Sequence, residues 1–268
     1  MNGSEILIGL AIKFEGNWQS MYAAAIANEV DDLEPYLEMY KHSRCKAVTM
    51  LDRDYPQILK QIYNPPFVLF YYGDITLAHD PSKCLSIIGT RNPSEYGTEM
   101  AQKLAKGLSK EFVIVSGLAK GIDGISQQSA INAGNKTIAI IGSGIDNCYP
   151  SDNKDLYDEI KKNHLILSEY FGNVVPDRSH FPLRNRIIAG LSKATLVVEA
   201  KNYSGTSITT TFANSFGRTV LAVPSNAGKD SICNKLIKEG AALVETVQDV
   251  IDELNHTAFV GREIQQNS

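Results

Sequence analysis

Residues 84–108 read CLSIIGTRNPSEYGTEMAQKLAKGL, and the fold is decided here. The stretch opens on a short apolar run and breaks at Gly89 and Thr90. It then enters a segment in which Tyr96, Met100, Leu104 and Leu108 recur at helix spacing. Asn92 as N-cap, Pro93 at the first helical position and Glu95 three residues after Asn92 predict the start of that helix. A strand that is apolar along its length, followed by an amphipathic helix, is the unit of a parallel sheet covered on both faces.

The unit repeats on the C-terminal side. Apolar runs follow at 112–115 (FVIV), 137–141 (TIAII), 165–167 (LIL), 194–198 (ATLVV), 219–223 (TVLAV) and 242–244 (ALV), most of them separated by segments of helical length. Gly134, Gly217 and Gly240 stand where those helices should stop. The expected fold class is therefore α/β, a Rossmann-like, doubly wound and mostly parallel sheet over residues 51–255. FVLFYY (67–72) reads as a further strand. Residues 1–50 read as a small helical N-terminal region, with Trp18, Tyr22, Ala25 and Ile26, then Leu33, Leu37 and Tyr40, at helix spacing. Residues 256–268 read as a polar tail.

The chain has 268 residues, 43% hydrophobic and 21% charged, with a formal net charge of −4. That composition suits a globular protein and gives no global electrostatic footprint for nucleic acid. A polyanion would have to be met by a local cluster of cations. Cys45, Cys84, Cys148 and Cys233 form no CxxC pair, which speaks against a zinc site and for a reducing compartment. ILIGLAI at 6–12 is too short to span a membrane and lacks the flanks of a signal peptide. The expected location is the cytoplasm, with no membrane partner.

Ligands of open α/β sheets bind beyond the carboxyl ends of the strands. The loops expected there are rich in Gly, Ser and Thr: IGTRNP, SGLAKGID, IGSGIDNCYP, KNYSGTSITT and PSNAGKD. Small residues let backbone amides approach a ligand, and the helix N-termini that follow favour negative charge. The sequence thus predicts a broad anion-binding rim. It lacks a P-loop, an HExxH pair and a GxSxG elbow, and Gly142-x-Gly144 lacks the third glycine of a dinucleotide fingerprint. No cofactor, metal or catalytic residue is expected.

SGLAKGID (116–123), TIAIIGSGIDNCYPSDNKDLYDEI (137–160), FPLRNRIIAGLSKATLVVEA (181–200) and SGTSIT…GRTVLAVP followed by NKLIKEGA resemble the DprA/Smf family in order and spacing, from about Tyr55 to about Asp252. The resemblance implies an extended Rossmann fold that binds single-stranded DNA. It also implies a mediator that loads the RecA recombinase on DNA taken up in natural transformation, and a homodimer. Two positions depart from the family's usual pattern: Gln127 stands where a His is usual, and Val223-Pro224-Ser225 replaces VPG. Many relatives continue into a winged-helix-like domain, which is not expected within the residues that follow the last predicted helix here.

Candidate DNA- or phosphate-binding residues are Arg91, Gly117, Lys120, Gly121, Arg184, Asn185, Arg186, Ser204, Gly205 and Thr206, with Phe181 a candidate for base stacking. Arg184 and Arg186 stand about 200° apart on a helix, so one can face a ligand while the other braces a loop or pairs with an acid such as Glu199. Arg184 is the favoured outward one. Asn185 reads equally as a cap or a ligand contact, and Asp123 as a helix cap. The alternative from another class is a nucleotide-binding enzyme of the lysine-decarboxylase-like Rossmann group, hydrolysing nucleoside monophosphates with Glu199 as its acid.

Overall fold

The computed structural model describes the backbone of residues 1–266 other than 203 and 229, and side chains as far as residue 256. Three helices come first: α1 (Gly3–Lys13), α2 (Trp18–Ala27) and α3 (Glu34–Lys41). Strands β1 (Lys46–Thr49) and β2 (Val68–Gly73) follow, and then the repeating units begin. These are β3 (Cys84–Ile88), α4 (Glu95–Leu108), β4 (Val113–Ser116), α5 (Ile122–Asn132), β5 (Thr137–Ile140), α6 (Lys154–Asn163) and β6 (Leu165–Ser168). The second half comprises α7 (His180–Leu191), β7 (Ala194–Val197), α8 (Gly205–Ser215), β8 (Thr219–Ala222), α9 (Ile232–Lys238), β9 (Ala242–Leu243) and α10 (Val247–Gln266).

The strands form one sheet in the order β1-β2-β6-β5-β4-β3-β7-β8-β9. From β6 to β9 every pairing is parallel, whereas β1–β2 and β2–β6 are antiparallel. The α/β, mostly parallel fold class is as the sequence predicts. Successive units step outward from β3 in one direction through β4, β5 and β6, and β7, β8 and β9 continue on its other side. The winding reverses between β3 and β7, and a crevice opens there at the carboxyl edge.

Strands β3, β5, β6 and β7 are buried at every position, which is why they read as unbroken apolar runs. One face packs on α7, α8 and α9, with Ile187, Ile188, Ala213, Ile232 and Leu236 in the core. On the other face α4, α5 and α10 cover the β3–β8 half, while α1–α3 and α6 cover the β2–β6 half.

Three local expectations change. The N-cap of α4 is Ser94, whose Oγ accepts from Gly97 N at 3.2 Å, so Asn92 and Pro93 lie in the loop before the helix. Strand β1 closes the N-terminal stretch that read as helical throughout. It is four residues long, and its strand character comes from pairing with β2 rather than from its own pattern. Helix α10 continues through Gln266, across most of the segment read as a tail; residues 267–268 lie outside the described residues. Gly134, Gly217 and Gly240 all have positive φ at helix ends, as their positions in the sequence imply.

Candidate nucleic-acid interface at the strand ends

The β3–β7 crevice contains a cleft of about 320 Å³. Arg91, Phe181, Arg184, Asn185, Ser204, Gly205 and Thr206 line it, so most of the candidates scattered over the sequence converge here. Gly117, Lys120, Gly121 and Arg186 are not among its walls.

Arg91 follows β3 and is exposed, with its guanidinium 5.6 Å from the centre of the Phe181 ring. Phe181 is half-buried at the first turn of α7, and the exposed ring of Tyr149 lies 5.6 Å from it. A cation on one face of a ring, with a second ring nearby, makes a wall that is both aromatic and positive. Gly121 sets the height of this wall. It has φ of +81°, and a Cβ there would stand 2.3 Å from Thr90 O and 2.7 Å from Arg91 O. Only glycine lets the start of α5 close against the Arg91 loop.

The two arginines of α7 part as their helical spacing requires, but neither is solvated. Arg186 is 2% exposed and donates to both oxygens of Glu169 at 2.6 Å, to Leu183 O at 2.7 Å and to Asn64 O at 2.9 Å. Its partner is Glu169 rather than Glu199, and it brings no free charge to the rim. Arg184 is 5% exposed and floors the cleft. Its Nη1 donates to Gly117 O at 2.6 Å and to Ile140 O, stitching together the ends of β4 and β5. Burial pulls this guanidinium down to about 10, which leaves it a cation at neutral pH. Gly117 is small because Arg184 lies against it: a Cβ there would meet Nη1 at 2.4 Å.

Asp123 is buried beside Arg184 and caps no helix, since Gly121 is the N-cap of α5. Its Oδ2 accepts from Gly117 N at 3.1 Å. Burial pushes its carboxyl up, against the pull of Arg184 and the amides of Gly117, Gly89 and Ala119. Asn185 donates to Gly205 O at 3.2 Å and so ties α7 to the start of α8. Ser204 is the N-cap of α8, its amide held by Ser207 Oγ at 3.0 Å, while Gly205 is exposed and Thr206 buried. Lys120 is exposed to one side of the cleft and pairs with Asp152 at 3.2 Å, each side chain 60% exposed. Such a surface pair contributes at most about 1 kcal/mol and is readily exchanged for a phosphate.

Lys201 was not among the residues anticipated. It is exposed on the cleft wall and has no ion pair among the described residues. The reasoning that singles out Arg91, a cation just past a strand's carboxyl end, applies equally to Lys201 after β7. Gln127 is fully buried. It accepts from Leu118 N at 3.1 Å and donates to Ile138 O at 3.1 Å, fixing the left-handed Leu118 turn that carries the SGLAKG loop. Cys148 is half-buried with its thiol pushed up by burial, as befits an unreactive cysteine.

The protein-family model for DNA recombination-mediator protein A matches residues 46–255. The chain belongs to this family. The DNA processing protein DprA of Bacillus subtilis is 40% identical over 242 residues, covering 87% of this chain and 80% of that one. The X-ray structure of DprA from Streptococcus pneumoniae superposes with a TM-score of 0.75 at 41% identity, covering 83% of this chain and 82% of that one. DprA from Helicobacter pylori, a structure concerned with its single-stranded DNA binding mode, gives a TM-score of 0.72 at 30% identity, over 81% of this chain and 98% of that one. No helix among the described residues is long and apolar enough to cross a membrane.

Proposed function

We propose that this chain binds single-stranded DNA along the β3–β7 rim and acts in the cytoplasm as a recombination mediator. In this reading it works as a homodimer that helps load the RecA recombinase. The observation that carries the reading is that the Arg91–Phe181 wall and Lys201 line one cleft at the winding reversal. Stacking on Phe181 suits an unpaired base, which a duplex keeps within its own stack. Arg91 and Lys201 supply phosphate contacts, and Lys120 extends the track once released from Asp152. The buried cations contribute differently: Arg184 lines the cleft and lends it positive potential, while Arg186 anchors α7 through Glu169. Family membership and the H. pylori relative support DNA as the polyanion.

The hydrolase alternative draws no support from Glu199. Its Oε2 accepts from both Ser94 N and Ser94 Oγ at 2.9 Å, which assigns that oxygen to the start of α4.

Fluorescence anisotropy of labelled single- and double-stranded oligonucleotides across a salt series tests the reading. The single strand should bind in preference, and Arg91→Ala and Lys201→Ala should each weaken binding and reduce the salt slope by about 0.7. Equal binding of both forms, or slopes unchanged in both variants, would remove DNA from this rim. Mediation is tested by RecA filament formation on strands precoated with a single-strand-binding protein, and dimerisation by sedimentation.

A further inference from the structure

Beside the Arg91 cleft lies a second one of about 370 Å³, sharing Thr90 and Lys201 with it. Its remaining walls include Asn92, Tyr96, Glu199, Ser225 and Asp230. The chemistry here is different. Helix α4 points its N-terminus toward this cleft, but Glu199 already answers it by accepting from Ser94 N and Oγ through Oε2. Oε1 of Glu199 has no partner among the described residues. Asp230 adds a second carboxylate, accepting from Asn202 Nδ2 at 2.5 Å. Beyond the shared Lys201, the pocket is therefore rich in acceptors, which favours hydrogen-bond donors on a ligand.

Two further features point to a planar ligand. Tyr96 is 44% exposed, and its hydroxyl donates to Pro224 O at 3.1 Å, which fixes the ring in the wall. Ser225 occupies the position where VPG is usual. Its loop is clamped by Asn234, which accepts from Ser225 N at 2.9 Å and donates to Ser225 O at 2.7 Å. Yet Ser225 Oγ is buried without a hydrogen-bond partner among the described residues. A buried hydroxyl without a protein partner is available to a ligand.

We infer that this second cleft is a nucleobase subsite that receives the base next to the one at Phe181 and prefers amino-bearing bases to thymine. The inference rests on the proposed binding of single-stranded DNA at the first cleft. Tyr96 stacks on the base, Glu199 Oε1 accepts from an exocyclic amine, and Ser225 Oγ bonds a second polar atom of the same edge. Thymine offers one N–H at its pairing edge, and its O4 would face carboxylates; cytosine presents an amine at the same place.

The test is anisotropy with labelled dC and dT hexamers for the full chain and for Glu199→Gln, Ser225→Gly and Tyr96→Ala. The wild-type chain should bind the dC strand about five- to tenfold more tightly than the dT strand. Glu199→Gln and Ser225→Gly should each bring the two strands to within about twofold of one another, and Tyr96→Ala should weaken both strands about equally. Ser225→Gly leaves the α4 cap intact, so it reads the pocket even if Glu199→Gln does not fold. Equal affinity of the wild-type chain for both strands, or a preference that survives Ser225→Gly and Glu199→Gln, would overturn the second subsite and leave the first standing. Failure of the wild-type chain to bind either strand would refute the proposed function itself, and this subsite with it.

Discussion

Glu169→Gln is the sharpest probe of how this rim is held. Arg186 sits 2% exposed and Glu169 9% exposed, joined by two parallel hydrogen bonds of 2.6 Å. The substitution keeps volume and one acceptor but leaves a guanidinium buried without a countercharge, because the other acceptors, Asn64 O and Leu183 O, are neutral. Removing one member of a buried pair costs about 3–5 kcal/mol. With a urea dependence near 3 kcal/mol per molar for a chain of this size, the unfolding midpoint should fall by about 1 M or more. Equilibrium urea unfolding followed by circular dichroism measures it. The double change Glu169→Met with Arg186→Met, which removes both charges, should recover most of the loss. A midpoint shift below about 0.3 M for Glu169→Gln would show that the pair is solvated and that α7 is anchored otherwise.

Other outcomes follow from the same geometry. Gln127→Leu should destabilise the chain by about 2 kcal/mol, because it strips the buried Leu118 amide of its acceptor; thermal unfolding reads this directly. Gly121→Ala should lower both stability and single-strand affinity, since its Cβ would push the Arg91 backbone away from α5; unchanged affinity in a folded variant would separate Arg91 from the DNA site. His164 gives a pH signature. Burial, and then Lys136, hold its ring below the ordinary value of 6.5, with Glu159 opposing. Folding thus favours the neutral ring, so its contribution is complete above 6.5 and is lost as pH falls through the folded value. The wild-type chain should lose more stability than His164→Gln between about pH 7 and pH 5, and parallel curves would refute this.

The sheet was legible in the sequence because strands buried on both faces must be apolar throughout, and β3, β5 and β7 are. The convergence of Arg91, Phe181 and Ser204–Thr206 was legible too, since winding order alone sends those loops to one edge. The spacing of Arg184 and Arg186 implied that they would diverge, and they do. What it could not supply was the partner. Glu169 lies in the turn after β6, 17 residues before Arg186, and nothing local distinguishes it from Glu199. Burial of both arginines was equally hidden, because a long cationic side chain carries no local mark of whether it meets water or a set of carbonyls. Strand β1 escaped for the opposite reason: four residues are too few to show a period, and only β2 makes them a strand.

The antiparallel corner of the sheet imposes an order on biosynthesis. Residues of α1–α3 share their core with Phe70 of β2 and Ile166 of β6, and Phe70 faces Ser168 in the β2–β6 ladder. Helices α1–α3 therefore wait, with one side of their core open, until the chain beyond residue 168 has emerged. Made before every strand of the sheet, these helices cannot close until β6, the last-made strand of that half, is in place.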